Sequence, residues 1–232
     1  MPAKLVLFDI DGTILLTSGA GRRAMIAAIN EEVELANGGD RIRFDGKTDP
    51  QIVTELLAAA GDSVPPSPER IAAVCRRYVE LLSEELARTT TRTTLLPGVR
   101  PLLDRLHAEA DIVLGLLTGN VAGGASLKLQ SAGIDPGRFR VGAFGSDSPH
   151  RPHLPPIAVE RAMRYFGRGV SGNEVVIIGD TPADIACGEC INARAVAVAT
   201  GGYTVSDLQA CRPYAVFEDL SDTESVMSSI LG

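Results

Sequence analysis

Aromatic side chains are scarce in this sequence of 232 residues: they make up 4% of it, and tryptophan is absent. The core must therefore be built mainly from aliphatic side chains, which suits parallel strands covered by helices on both faces. Long apolar runs are also lacking, because no segment is long and charge-free enough to cross a bilayer, and the run from Leu5 to Phe8 is too short for a signal peptide. We therefore expect a cytoplasmic protein that does not enter a membrane.

An excess of positive charge is missing as well. The formal net charge is -7, and an acidic chain does not attract polyanions through its overall field, so we expect neither nucleic acid nor an anionic membrane as a partner. Hydrophobic residues make up 45% and charged residues 22%, which is ordinary for a soluble globular protein. A local positive site for a small anion remains compatible with these totals.

Cysteine is infrequent, with four residues in the chain. Cys187 and Cys190 are spaced as CxxC, which is the spacing of many zinc and redox sites. A second such pair and a nearby histidine are absent, and this pair lies in a predicted helix. We predict that the cysteines are buried structural thiols.

Short runs rich in Val, Ile and Leu recur along the chain, and each is followed by a helical pattern. Most runs are too continuous for half-exposed strands, so they predict buried parallel strands. They occupy residues 4–10, 111–118, 140–145, 174–180 and 193–200, with a sixth candidate at 214–217. The alternation predicts an α/β fold with a doubly wound parallel sheet and right-handed crossovers.

About a hundred residues between the first two runs lack a strong strand pattern. Apolar residues there recur at helical spacing in three segments, 21–33, 50–60 and 68–87. We therefore predict an all-helical insertion at 15–92, within a core formed by residues 1–14 and 93–232. Such an insertion would lie over the carboxyl ends of the strands, where open α/β sheets bind ligands.

The strongest chemical signal is the segment FDIDGT at residues 8–13. Asp9 and Asp11 end a predicted buried strand, and because successive side chains of a strand alternate between faces, both lie on one side. Two neighbouring carboxylates repel each other, and a hard cation would relieve that repulsion. A solvated turn with a helix cap is the alternative for this segment alone.

A second acidic segment, GDTPADI, covers residues 179–185. Asp180 ends another predicted strand, and Asp184 lies in the first turn of a helix, where complementing the helix dipole is its alternative role. All carboxyl ends of a parallel sheet share one edge, so these two acids can converge with Asp9 and Asp11. Four acids without obvious matching cations predict an oxygen-ligand site for Mg²⁺.

Two further segments offer groups for an anion. Thr118, Gly119 and Asn120 follow a third strand and precede a helix, so a hydroxyl and backbone N–H groups there predict an anion site. Plain N-capping by Asn120 is the alternative. Arg151, in the segment HRPH, could clamp two phosphate oxygens, with a solvated surface position as its alternative.

In this order, the four segments resemble the haloacid dehalogenase-like superfamily, in its phosphatase branch. The resemblance spans the chain and implies a Rossmann-like core with a helical cap inserted after the first motif. It implies that Asp9 is the nucleophile that attacks phosphorus and that Asp11 is first the general acid and then the base. Thr118 and Arg151 would hold the transferring phosphoryl group, although many members carry lysine where Arg151 stands.

The resemblance also implies a ligand set for Mg²⁺. Asp9, the backbone carbonyl of Asp11 and Asp180 would bind the ion, and Asp184 would bind it directly or through water. The implied partner is a small phosphorylated metabolite, and we expect the enzyme to be a monomer or a homodimer.

The segment GKTD, residues 46–49, resembles the phosphoglycolate phosphatase-like group, which makes phosphoglycolate the first candidate substrate. Gly46 and Lys47 would then contact the substrate from the cap. Arg22 and Arg23 could also face the cleft, with a solvated helix face as the alternative. We expect the cap to open and close about hinges near 15–19 and 94–98.

Relatives of the same fold remain as alternatives. A beta-phosphoglucomutase-like phosphomutase keeps both acids of the first motif and returns the phosphoryl group to a sugar. A dehalogenase or a phosphonatase lacks the second acid, so Asp11 argues against both, although Lys47 lies near the position of a phosphonatase Schiff-base lysine. A non-catalytic module on this fold is expected to have lost some of the four motif acids. All four are present here, which argues against such a module.

Overall fold

The computed structural model describes residues 4–33, 35, 42–61, 64–88 and 90–232. The strands are β1 (Lys4–Phe8), β2 (Leu15–Leu16), β3 (Thr94–Leu95), β4 (Ile112–Thr118), β5 (Val141–Phe144), β6 (Val175–Gly179), β7 (Arg194–Val198) and β8 (Ala215–Phe217). The helices are α1 (Ala20–Asn30), α2 (Asp49–Ala59), α3 (Pro68–Ala87), α4 (Val99–Ala108), α5 (Ala122–Ser131), α6 (Leu154–Phe166), α7 (Pro182–Cys187), α8 (Val205–Ala210) and α9 (Thr223–Leu231).

The main sheet is parallel and has six strands in the order β5-β4-β1-β6-β7-β8. β1 lies inside the sheet, where Leu5 pairs with Val113 of β4 and with Val175 of β6. The predicted α/β fold is confirmed, and the sixth candidate strand at 214–217 is β8.

Helices cover both faces of this sheet, which explains its continuous apolar strands. Leu5 and Leu7 belong to a buried cluster that includes α6, while Val6 and Phe8 belong to another that includes α4 and α9. Alternating side chains of one strand therefore enter two different cores, and both sets must be apolar.

The helices α1, α2 and α3 share a separate buried cluster, to which Met25, Leu56 and Tyr78 contribute. The predicted helix 68–87 matches α3, whereas α1 ends at Asn30 rather than at 33. The domain boundaries at 15 and 92 remain a prediction. The sequence did not indicate β2 and β3, which pair antiparallel, Leu15 with Leu95, at the places where hinges were expected.

The cysteines are only partly as predicted. Cys75 and Cys187 are buried, but Cys190 and Cys211 are exposed, so the prediction of four buried thiols is wrong. The physical reason at Cys190 is that α7 ends at Cys187 and the chain continues as a short 3-10 helix at the surface. Among the helices described, none combines the length and the apolarity that crossing a membrane requires.

Candidate active site

Three of the predicted acids meet at the carboxyl edge of the sheet. Asp9 follows β1 and Asp180 follows β6, and the backbone N–H of Asp9 donates to the carbonyl of Ile178, 2.9 Å away. Asp184 comes from the first turn of α7. One carboxylate oxygen each of Asp9, Asp180 and Asp184 lies within 4.8 Å of the others, and all three residues are buried.

Burial and mutual repulsion dominate the electrostatics of this acidic cluster. Burial raises the pKa of Asp9 to about 7, against the lowering effect of Arg151, and the negative charges of Asp184 and Asp11 add to the rise. Burial and the charges of Asp184 and Asp9 raise the pKa of Asp180 to about 9. A bound cation would relieve this cost, and the donor set consists of carboxylate oxygens, so the residues present fit Mg²⁺.

Arg151 is the cation that reaches this cluster. It begins a short 3-10 helix and is buried, so its alternative as a surface residue is wrong. Its Nη2 forms an ion pair with Asp184 and lies 3.4 Å from Oδ1 of Asp9. Burial alone would lower the pKa of Arg151, but the charges of Asp184 and Asp9 raise it overall, so the guanidinium keeps its charge.

Thr118 and Asn120 form the wall beside Asp9. The hydroxyl of Thr118, at the end of β4, is fully buried and accepts a hydrogen bond of 2.8 Å from Nδ2 of Asn120. A hydrogen bond from Thr118 also lowers the pKa of Asp9. The alternative in which Asn120 caps the helix is wrong, because α5 begins at Ala122 and its N-cap residue is Val121.

The carboxylate of Asp11 points to a lysine that the sequence analysis missed. Oδ2 of Asp11 accepts hydrogen bonds from Nζ of Lys128 at 2.6 Å and from Nδ2 of Asn120 at 2.8 Å. The ammonium of Lys128 also donates to Oδ1 of Asn120 at 2.6 Å. Asp11 therefore does not join the three-carboxylate cluster through its side chain, and a metal contact through its backbone carbonyl stays a prediction.

A sequence signal for Lys128 existed. The residue stands between Leu127 and Leu129 in α5, and it falls on the same helical face as Gly124, four residues earlier. A charged residue on the buried face of a helix needs a partner in the protein. That partner could have been sought among the predicted strand-end acids.

The predicted cap residues Arg22, Gly46 and Lys47 line the cavity that contains Asp9, and each makes a different contact. Lys47 forms an ion pair with Glu55, and the guanidinium of Arg22 lies 4.5 Å from the ring centroid of Phe44. Gly46 has a φ of 71°, and a Cβ there would come within 2.7 Å of Cβ of Ala183. These contacts bring the segment before α2 against the start of α7.

Arg23 does not face the cleft, and its half-exposed side chain agrees with the alternative of a solvated helix face. Its side chain turns away and forms a hydrogen-bonded ion pair of 2.8 Å with Glu85 of α3. Arg22 and Arg23 are adjacent on α1, and a helix directs neighbouring side chains about 100° apart, so only one of them reaches the cavity.

Two residues at the start of α2 join the cap helices to the sheet edge. The Thr48 hydroxyl donates to the carbonyl of Pro149 at 2.7 Å. The backbone N–H of Asp49 donates to the carbonyl of Gly119 at 2.8 Å, and its carboxylate accepts from the N–H of Val121 at 2.8 Å. Burial raises the pKa of Asp49 to about 6, while Lys128 opposes the rise.

The cavity between the sheet edge and α1–α3 has a volume of about 460 Å³. The predicted site residues that line it are Asp9, Asp11, Arg22, Gly46, Lys47, Thr118, Gly119, Asn120, Arg151 and Asp180. Asp184 lies behind this wall, where it holds Arg151. The site therefore combines a buried acidic cluster, one buried guanidinium and a chamber for a small ligand.

Comparison with known proteins identifies the family. A model described as haloacid dehalogenase-like hydrolase matches residues 6–189. That match covers most of the chain, so the chain belongs to the haloacid dehalogenase-like hydrolase family, and the resemblance in the motifs is confirmed.

The individual proteins that resemble this chain share a quarter or less of its sequence. The chain is 24% identical over 229 residues to the probable phosphatase IndB of Dickeya dadantii (strain 3937), with 98% of this chain and 94% of the relative covered. It superposes on a predicted phosphoglycolate phosphatase from Haemophilus somnus 129pt with a TM-score of 0.69, 19% identity and 97% of each chain covered. It superposes on a beta-phosphoglucomutase from Clostridium difficile with a TM-score of 0.72 and 17% identity, and the superposition covers 100% of this chain and 98% of the mutase. These two likenesses show the fold alone.

Proposed function

We propose that this chain is a magnesium-dependent phosphatase that hydrolyses a small phosphorylated metabolite through a phospho-aspartate on Asp9. The observation that carries the proposal is the position of Asp9: its carboxylate lines a cavity for a small ligand, beside a buried guanidinium and within an acidic cluster that fits a divalent cation. Membership of a hydrolase family supports the reaction class, and the name of the relative IndB supports the phosphate ester.

The chemistry follows from two carboxylates in different surroundings. A carboxylate oxygen of Asp9 attacks phosphorus, the bond from phosphorus to the leaving oxygen breaks, and Asp11 gives that oxygen a proton. A water molecule then attacks the phospho-aspartate, Asp11 takes the proton of the water, and the bond from phosphorus to the Asp9 oxygen breaks. Splitting one displacement into two easier ones is the advantage of a covalent intermediate.

Charge neutralisation is the second requirement of phosphoryl transfer. Arg151 lies 3.4 Å from Asp9, so its guanidinium can contact an oxygen of a phosphoryl group bound to that carboxylate. The Thr118 hydroxyl would bind a second oxygen. The backbone N–H groups of Asn120, Val121 and Ala122 already donate to Thr118, Asp49 and Ser146. Mg²⁺ held by Asp9, Asp180, the carbonyl of Asp11 and, directly or through water, Asp184 would neutralise further charge on the phosphoryl group.

The proposed substrate class is set by the size and lining of the cavity. Its volume of about 460 Å³ suits a metabolite rather than a macromolecule. Phosphoglycolate is the first candidate, and Gly46, Lys47 and Arg22 are the proposed contacts from the cap side. A phosphomutase is the second candidate, supported by the fold it shares with a beta-phosphoglucomutase.

Phosphate release from a panel of phosphorylated metabolites, with magnesium and with chelator, tests the proposal. We expect release that needs magnesium and that is abolished in Asp9→Asn. The matched control is Asp111→Asn, at an exposed acid outside the cavity, which should retain wild-type rates. Release that persists in Asp9→Asn would remove Asp9 from its role, and isomerisation of a sugar phosphate without net release would favour the mutase.

A further inference from the structure

We propose that Lys128 and Tyr78 form a subsite that binds an oxygen acceptor on the leaving group of the substrate, such as a carboxylate, a hydroxyl or a second phosphate. This inference rests on the proposed function, because it concerns the part of the substrate that departs with the proton from Asp11. Both residues line the cavity and both are buried, with 5% and 1% of their surface exposed.

The position of Lys128 separates it from the phosphoryl end of the cavity. Arg151 lies beside Asp9, whereas Lys128 Nζ is 2.6 Å from Oδ2 of Asp11. In the proposed reaction Asp11 contacts the oxygen that leaves, so a cation bound to Asp11 lies beside the leaving group. The two buried cations therefore divide the cavity into a phosphoryl end and a leaving-group end.

The ammonium of Lys128 has one N–H donor without an acceptor among the described residues. Its ammonium carries three N–H donors. Two of them are accounted for by Asp11 and Asn120, and in the part of the chain that the structure describes no third acceptor is present. A buried ammonium with an unused donor at a cavity wall is a binding group for an acceptor oxygen.

The hydroxyl of Tyr78 provides independent evidence for a ligand beside Lys128. Tyr78 belongs to α3, and its hydroxyl makes no hydrogen bond with any described residue. Burial raises the pKa of Tyr78 well above its usual range, so the hydroxyl keeps its proton and remains a donor. Tyr78 lines the cavity, so a ligand bound there can accept the hydrogen bond of this hydroxyl.

Two glycines create the room in which these donors meet. A Cβ at Gly21 of α1 would lie 3.3 Å from Nζ of Lys128 and 3.7 Å from the Tyr78 hydroxyl oxygen. A Cβ at Gly124 of α5 would lie 3.6 Å from the same hydroxyl. Both head groups therefore border one small space, bounded by helices of the cap and of the core.

The subsite also accounts for the acids around it. Asp49 and Asp11 both act electrostatically on Tyr78, and the charge of Lys128 lowers the pKa of Asp49. Lys128 therefore offsets part of the negative charge of these two acids, which reduces their repulsion of an oxygen-rich leaving group. Arg22, which also lines the cavity, adds a further positive charge on the cap side.

The test measures binding without turnover. In an Asp9→Asn background with magnesium, calorimetry gives the Kd of ethyl phosphate, 2-hydroxyethyl phosphate, 2-phosphoglycolate and ethylene glycol bisphosphate, which differ only at the far end of the leaving group. We expect at least one oxygen-bearing ligand to bind more tightly than ethyl phosphate, and the ligand that gains most identifies the acceptor.

The variants Lys128→Met and Tyr78→Phe should reduce that preference. A lost hydrogen bond to a charged group predicts a reduction of roughly ten- to a hundredfold for Lys128→Met, and the neutral bond of Tyr78 predicts about two- to tenfold. Using the ratio to ethyl phosphate cancels any general weakening caused by the contact of Lys128 with Asp11. Tyr78→Phe keeps the ring that packs in the core, so it remains informative if Lys128→Met folds poorly.

Matched controls are Lys4→Met and Tyr214→Phe, which change a surface lysine and an exposed tyrosine and should leave the ratio unchanged. Equal affinities for all four ligands, or a preference that survives in both subsite variants, would overturn the inference. The proposed function is tested separately, because it fails when the chain with Asp9 intact releases no phosphate.

Discussion

The guanidinium of Arg151 lies 3.4 Å from the carboxylate of Asp9 and is held from behind by an ion pair with Asp184. This arrangement places a fixed positive charge beside the proposed nucleophile, where a phosphoryl group would be bound. Since Asp184 and Arg151 are both nearly inaccessible to solvent, their interaction is little screened by salt.

Replacing Arg151 should therefore affect both activity and stability. Arg151→Met leaves the buried carboxylate of Asp184 without its cation, so we expect a loss of about 3–5 kcal/mol in the free energy of unfolding. Loss of a donor to the transferring group predicts a decrease of roughly 10²–10³ in kcat. Arg151→Lys retains the positive charge and should keep most of the activity.

Denaturant unfolding and phosphate-release kinetics measure these two effects. The matched control is Arg161→Met, which breaks a surface ion pair with Asp147 and should cost at most about 1 kcal/mol. Full activity in Arg151→Met would mean that the guanidinium does not contact the phosphoryl group.

Asp49 predicts a pH dependence of stability. Its pKa in the folded protein is about 6, above the ordinary value of 3.8, mainly because it is buried. The folded state therefore binds more protons than the unfolded state between these values, and the contribution of Asp49 to stability falls as the pH rises from about 4 to 6. Above pH 6, ionisation of Asp49 lowers the free energy of unfolding by about 3 kcal/mol, because each unit of pKa difference corresponds to about 1.36 kcal/mol.

The variant Asp49→Asn isolates this contribution. The difference in free energy of unfolding between Asp49→Asn and wild type should shift in favour of the variant by up to about 3 kcal/mol from pH 4 to pH 7. Urea denaturation at each pH measures this difference. Asp111→Asn is the control, because Asp111 is exposed and lies outside the cavity. A difference between Asp49→Asn and wild type that does not change with pH would contradict the raised pKa.

Gly119 tests the contact between the sheet edge and the start of α2. A Cβ at this position would collide with the carbonyl oxygen of Lys47, which is backbone and cannot turn aside. We expect Gly119→Ala to displace the segment that carries Lys47, to lower the melting temperature by several degrees and to reduce kcat/KM by at least tenfold. Gly169→Ala, where a Cβ meets nothing within 4 Å, is the control.

Metal binding should be visible as a gain in stability. A cation that binds the folded state alone raises the melting temperature with its concentration. Because the pKa of Asp180 is raised to about 9 in the metal-free site, protons compete with Mg²⁺, and the gain should be larger at pH 8 than at pH 6. Differential scanning calorimetry with magnesium or chelator measures it, and Asp180→Asn should abolish most of it. An equal gain in that variant would place the metal elsewhere.

The sheet and the acids at its edge could be predicted because both depend on local patterns. Continuous apolar runs predict buried parallel strands, and residues that directly follow such strands, such as Asp9 and Asp180, must lie at one edge. The order of the strands within the sheet, β5-β4-β1-β6-β7-β8, does not follow from these local patterns.

Other parts of the site depend on packing that no local pattern records. Lys128 reaches Asp11 because of the rotation of α5 against the sheet and against α3, and the separation of 117 residues hides the pair in the sequence. The paired strands β2 and β3 have two residues each, which is too short for a periodicity. The exposure of Cys190 follows from where α7 ends, and helix ends are poorly marked in sequence.

The most direct test of the proposed mechanism is the detection of the covalent intermediate. The protein is mixed with magnesium and the best substrate of the panel, quenched in acid within one turnover, and digested for mass spectrometry. We predict that the peptide containing Asp9 gains the mass of one phosphoryl group, and that Asp9→Asn shows no such gain. Turnover without any phosphorylated peptide, or a phosphoryl group on another residue, would contradict Asp9 as the nucleophile.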